Sequence, residues 1–224
     1  MARSKELNIS ISEDASEKIK IIITEDPTAH YKLTDKLHKD LDTANRNLLK
    51  GKITPYQLKV LINKYPHVPT FYNYLSVAYE DNNQFDKVLP VIKTLIKKFP
   101  TYFHAQLNLI SFYLKTENKE ALDAYFENVD SIKDVAPKKE NFHVDEFMGF
   151  YSAFVEYLET KRDRKKMTRI FDMLDNVAPH FPTIKAELPN LKILLQRVDI
   201  MLAAEEKAKQ ENAPIIYLKE DKEK

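Results

Sequence analysis

The sequence predicts an all-α chain of helix-turn-helix units stacked into a short α-solenoid and closed by one long capping helix. Three observations point there. The tripeptide lysine-aromatic-proline occurs as Lys64-Tyr65-Pro66 and again as Lys98-Phe99-Pro100, with the prolines 34 residues apart. A fixed period in the range of about 20–50 residues marks a repeat array. Apolar residues recur at helical spacing from Leu33 to Met201. The chain also has only 2 glycines, too few for the tight hairpins of a β fold.

In chain order, residues 1–27 read as an irregular lead-in or a short helix. Asn8-Ile9-Ser10-Ile11-Ser12 alternates like a strand, and Ile19-Lys20-Ile21-Ile22-Ile23 fits strand or helix, since so short an apolar run has no decisive period. A single helical domain then covers residues 28–209. From Thr28 to Lys50, Leu33, Leu37, Leu41, Ala44 and Leu48 make one apolar stripe. Gly51 stops that helix, because the left-handed conformation costs glycine little. Thr54-Pro55 reads as N-cap and first helical residue of the next helix, which runs to Lys64. Residues 30–66 form a degenerate N-terminal capping unit.

The next unit, 69–102, carries the best pattern. Tyr72, Leu75, Ser76, Tyr79, Val88, Ile92 and Pro100 stand at spacings that resemble the tetratricopeptide pattern of W-x2-L-G-x2-Y, then A-x3-F, then P. Small Ser76 lets two helices approach, the larger residues fill the seam, and Pro100 ends the second helix because it lacks an N–H. In the unit 103–136, Leu109, Tyr113, Leu122 and Phe126 take the matching places, while Gln106 replaces the first aromatic and Ile110 the small residue. A third unit spans 147–182, with Phe150, Ala153, Phe154, Tyr157, Ile170 and Met173, but with Lys166 where alanine belongs. Val135–Glu146 reads as a long loop between these units. The resemblance implies a right-handed superhelix of helix pairs.

After Pro182 a capping helix covers 186–209, with Pro189 in its first turn and Leu188, Leu191, Leu194, Leu195, Val198 and Met201 as its apolar stripe. Residues 210–224 form a tail, in which Pro214-Ile215-Ile216-Tyr217-Leu218 reads as a frayed terminus or a segment that docks on the groove or on a partner.

Several function classes are excluded or disfavoured. Neither G-x-x-x-x-G-K-[ST] nor G-x-G-x-x-G occurs, which disfavours nucleotide enzymes. With Cys 0, thiolate metal sites and cysteine nucleophiles are impossible. No membrane-length apolar run and no secretory leader is visible, so the expected setting is cytoplasmic without membrane insertion. A formal net charge of +1, with charges interspersed, argues against nucleic acid as a partner. The basic runs Lys161–Lys166 and Lys138-Lys139 read as solvated loops. His30, His38, His67, His104, His143 and His180 are scattered without H-E-x-x-H, so neither a metal nor another cofactor is expected. Asp123 and Glu127, four residues apart on one helix, read as an exposed helix surface in preference to an acid/base pair. Convergence of His104 and His143 on carboxylates would favour a helical-repeat enzyme subunit.

The expected function is that of a non-enzymatic protein-interaction scaffold or adaptor, with a dedicated chaperone or assembly factor as the alternative. The tetratricopeptide resemblance implies a concave groove for a peptide segment of a partner protein. Its lining would be Asn73, Val77, Glu80 and Asp81 in the first unit, Leu107, Asn108, Ser111 and Lys115 in the second, and Tyr151 with Val155 in the third. Asparagine suits a peptide backbone because its amide donates and accepts at once. Oligomeric state leaves no mark in the sequence.

Overall fold

Residues at the start of the chain form strands, not the expected irregular lead-in. The computed structural model describes residues 4–9, 19–25 and 32–211. Strand β1 (Ser4–Ile9) pairs antiparallel with β2 (Ile19–Thr24), and β2 pairs in parallel with β3 (Asn141–His143). The cause is a period of two. Ile21 and Ile23 are fully buried in one core with Phe142, whereas Ile22 between them is only half-buried and Lys20 before them is exposed. A two-stranded ribbon alone would be marginal; the short β3 and a covering helix complete it. The stretch expected to be a long loop, Val135–Glu146, therefore supplies this third strand.

The rest of the described chain is mostly helical. Thr34 caps α1 (Asp35–Leu49), its hydroxyl accepting from Leu37 N. Leu37 and Ala44 are buried, but Leu33 lies before the helix and is 55% exposed, so the stripe starts later than expected. Gly51 turns the chain at φ +61°. Thr54 caps α2 (Pro55–Lys64) in a reciprocal box with Gln57. Then come α3 (Pro69–Asp81), α4 (Phe85–Lys98), α5 (His104–Lys115) and α6 (Lys119–Phe126). A single turn, α7 (Ile132–Val135), precedes β3, and α8 (Val144–Lys161) and α9 (Arg164–Val177) follow it.

Two kinds of turn recur. Between α3 and α4, α5 and α6, and α8 and α9, one non-glycine residue adopts positive φ: Asn83 (55°), Glu117 (50°) and Arg162 (55°). At each, its N–H donates to the carbonyl three residues back, and the next N–H to the carbonyl five back. The carbonyls are those of Glu80 and Tyr79, Leu114 and Tyr113, and Glu159 and Leu158. The pattern satisfies helix-end carbonyls that would otherwise be orphaned. The second kind precedes a proline. Tyr65 (φ −130°, ψ 64°), Phe99 (−132°, 69°) and Ala136 (−135°, 65°) each end a helix in the same conformation. A following proline disfavours the helical region for the residue before it.

The last helix, α10 (Pro182–Glu211), begins earlier than expected. Phe181 is extended at ψ 111°, so Pro182 is its first residue. Pro189 is thus inside the helix and not in its first turn, and it offers no N–H to the Lys185 carbonyl. Residues 212–224, and so the tail's apolar segment, lie outside the described residues. Among the described residues no helix is long and apolar enough to cross a membrane.

Helix α3 packs against both α1 and α5, and α8 packs against both α5 and α10. One core joins α1 to α5 through Phe71, Leu75, Tyr79, Val88 and Ile92. A second joins β2 and β3 to α5–α10 through Phe103, Phe126, Phe147, Phe150 and Phe154. Burying such a side chain contributes about 1.5–3 kcal/mol. Lys166, where alanine was expected, fits because its ammonium leaves the core. It donates to Val129 O (2.9 Å), pairs with Asp130 (2.6 Å) and lies over the Phe154 ring.

Candidate functional site

Helices α3 and α5 lie side by side and are joined by two polar pairs of equal sequence offset. Asn108 Nδ2 donates to Asn73 Oδ1 and to Ser76 Oγ (3.3 Å), and Lys115 Nζ meets Glu80 Oε2 at 2.5 Å. Both pairs span 35 residues. Because the later residue of α3 meets the later residue of α5, the two helices run parallel. Ser76 Oγ donates in turn to Asn73 O (2.8 Å), so the small residue at the seam also orders the pair.

This arrangement leaves particular groups unspent. Asn73 contributes its oxygen and Asn108 its nitrogen, so Asn73 Nδ2 and Asn108 Oδ1 have no partner among the described residues. One amide donor and one amide acceptor thus sit on adjoining helices. Lys115, by contrast, is paired, and Glu80 is largely covered, with a side chain 14% exposed. Asp81 is exposed, and Val77, Leu107 and Ser111 are half-buried.

Tyr151 does not belong with these residues. It is 0% exposed, its ring packs edge-on against Phe147 and Phe150, and its hydroxyl accepts from Ile132 N at 3.5 Å. Burial raises its pKa. Val155 is likewise fully buried. The reason is coverage: α8 packs against α5, α7, α9 and α10, so little of its surface remains for a groove. Leu107 is also partly committed to packing, since a Cβ on Gly149 of α8 would lie 3.0 Å from its Cδ1.

A second polar cluster centres on Glu146, which the sequence analysis did not single out. Glu146 is completely buried at the third position of α8. Its Oε1 lies 3.1 Å and its Oε2 3.0 Å from Lys139 Nζ, and Oε2 accepts from His143 N at 3.0 Å. His104 Nδ1 lies 3.5 Å from Oε1, a long contact that leaves this nitrogen without a well-formed hydrogen bond. Burial pushes the Glu146 pKa up, but His104, Lys139 and the His143 amide outweigh it and hold the carboxyl below its ordinary range. His104 thus faces this carboxylate with its ring, whereas His143 meets it only through its backbone N–H. His143 spends its Nδ1 as a helix cap on Asp145 N (3.2 Å), and Glu146 offers no exposed oxygen to a substrate. Among the described residues no group of three or more metal-ligating side chains converges.

Asp123 and most of the basic run 161–166 are tied up in ion pairs. Asp123 accepts from Tyr157 OH (3.1 Å) and pairs with Lys161 (2.5 Å), which lowers its pKa. Tyr157 is pushed up to about 12, by burial first and then by Asp123. In the basic run, Arg162 pairs with Glu205 and Arg164 with Asp199, fastening α10 to the turn between α8 and α9. Compared with known proteins, the chain matches no family model, no curated protein and no solved structure.

Proposed function

We propose that the chain is a helical-repeat interaction scaffold that holds an extended peptide segment of a partner protein along α3 and α5. The observation that carries this reading is the Asn73–Asn108 pair, with its unspent donor and acceptor side by side. A peptide unit presents the complementary N–H and C=O. The amides are already oriented by each other and by Ser76, so binding costs little side-chain ordering. Recurrent turns and the parallel course of α3 and α5 support stacked units, on which a right-handed solenoid would place these residues on its concave side.

The test is a capture experiment from native lysate at low salt with the wild type and with Asn73→Ala/Asn108→Ala. The reading expects a partner retained in stoichiometric amount by the wild type and lost with the variant, at unchanged helicity. Equal capture by both would remove the groove from the account. A single stoichiometric client, as against several weak ones, would mark a dedicated chaperone.

A further inference from the structure

A cavity of about 430 Å³ opens between the start of α5 and the segment after α7, lined in part by Pro100, Phe103, Gln106, Val135, Ala136 and Lys138. Its volume lies in the range of small-molecule sites, about 300–1,000 Å³. Its origin is visible within the chain. Thirty-four residues before Gln106 stands Tyr72, whose ring packs on Phe99 at 5.5 Å, edge to face. Phe99 ends its helix in the conformation that Ala136 adopts, each just before a proline. Where the earlier unit seats an aromatic pair, the later one has glutamine and alanine, and both of these line the cavity.

The walls are preformed. Phe103 is buried and held edge-on by Phe142 at 5.5 Å. Lys133 Nζ donates to Pro137 O (2.8 Å) and Lys139 O (2.9 Å), clamping the outer segment. Beside the Thr101 hydroxyl, which both donates and accepts, the cavity's free polar groups are donors. Gln106 Oε1 accepts from Tyr125 OH at 3.2 Å, which leaves the Gln106 Nε2 hydrogens unspent. Lys138 is exposed and has no acidic partner among the described residues. Lys139 is already neutralised by Glu146, and no carboxylate lines the cavity. A largely apolar chamber of this size, with the Lys138 ammonium and the Gln106 amide as free donors and no carboxylate on its wall, suits an aromatic anion.

We propose that this cavity binds an aromatic carboxylate, its ring in the place of the missing aromatic pair and its carboxylate on Lys138 and Gln106. The site is separate from the α3–α5 groove and stands or falls independently of it. The ring and carboxylate can belong to a free arylalkanoic acid or to a C-terminal aromatic residue of a peptide.

Calorimetric titration of the full chain with phenylbutyrate, phenylbutanol and Gly-Gly-Phe as free acid and as amide tests it. The expected result is saturable one-to-one binding of at least one carboxylate probe; which of the two binds identifies the source. The uncharged counterpart should bind about tenfold more weakly, the worth of a charge-assisted hydrogen bond. Lys138→Glu, an exposed change that leaves folding intact, should lower affinity by at least about tenfold. Gln106→Tyr/Ala136→Phe should abolish binding and raise the melting temperature by filling the space. Binding of no carboxylate probe would overturn the proposal. So would equal binding of acid and uncharged analogue, or affinity unchanged in Lys138→Glu.

Discussion

Glu146 is the residue whose removal should cost most for its size. Glu146→Ala would leave the Lys139 ammonium, 13% exposed, without its counter-charge. Breaking a buried pair from one side costs about 3–5 kcal/mol. Losing the acceptor for His143 N removes an N-terminal cap, worth about 1 kcal/mol more. Glu146→Gln keeps an oxygen for that cap and loses only the charge. Because Lys139 retains some solvent access through which its head group can relax, the expected cost falls to about 2–4 kcal/mol. Lys192→Ala serves as the surface control, since its pair with Asp175 is exposed on both sides and should contribute about 0–1 kcal/mol. Guanidinium melts followed by circular dichroism at neutral pH read all three.

The pH profile gives an independent check. The folded pKa of Glu146 lies below its ordinary value, so the unfolded chain binds the proton more readily. Its stabilisation is then complete above the ordinary glutamate pKa and is lost as pH falls through the folded value. The wild-type melting temperature should fall on acidification more steeply than that of Glu146→Gln. If Glu146→Gln costs no more than Lys192→Ala, or the two pH profiles run parallel, the ion-pair reasoning is refuted.

Three further outcomes are expected. Tyr79→Ala, in the core between α1 and α5, should cost about 3–5 kcal/mol in denaturant melts, whereas Asn73→Ala should cost no more than about 1 kcal/mol, because only a half-buried hydrogen bond is lost; comparable losses would reverse the assignment of seam and groove. Glu117→Gly should raise stability by about 0.5–1 kcal/mol, because φ 50° is strained for any residue with a Cβ; an unchanged melting midpoint would argue against that strain. Gly149→Val should cost about 1–3 kcal/mol by driving its branched side chain into Leu107, and Leu107→Ala in the same chain should recover part of the loss.

What was legible in the sequence follows from how local each signal is. The Tyr65-Pro66 and Phe99-Pro100 turns announced themselves because proline writes its backbone constraint into the residue before it. The left-handed turns at Asn83, Glu117 and Arg162 did not, since none carries the glycine that usually marks them. The strands stayed hidden for a different reason. Ile19–Ile23 is too short to show a period, and its partner Asn141–His143 lies far along the chain in a stretch that reads as loop. Tyr151 was misplaced because a periodic pattern gives a helix face but not the number of neighbours around it, and α7 and α10 both cover α8.

On the proposed reading, the α3–α5 seam also bears on what kind of ligand suits it. The groups that would meet a peptide are the same ones that join the two helices. An anionic group seeking Lys115 must compete with Glu80, which is already at 2.5 Å and largely shielded from water. An amide seeking Asn73 and Asn108 competes with nothing, because the donor and acceptor it needs are those their mutual bond leaves over. The seam therefore favours recognition of the neutral backbone over capture of a terminal carboxylate. Capping a partner peptide's C-terminus with an amide should leave its affinity for this groove unchanged, while replacing backbone amides by esters along the bound stretch should weaken it stepwise. A loss of about tenfold or more on C-terminal amidation, the worth of a charge-assisted contact, would mean that Lys115 leaves Glu80 for the ligand and that the order of preference argued from the unpaired atoms is inverted.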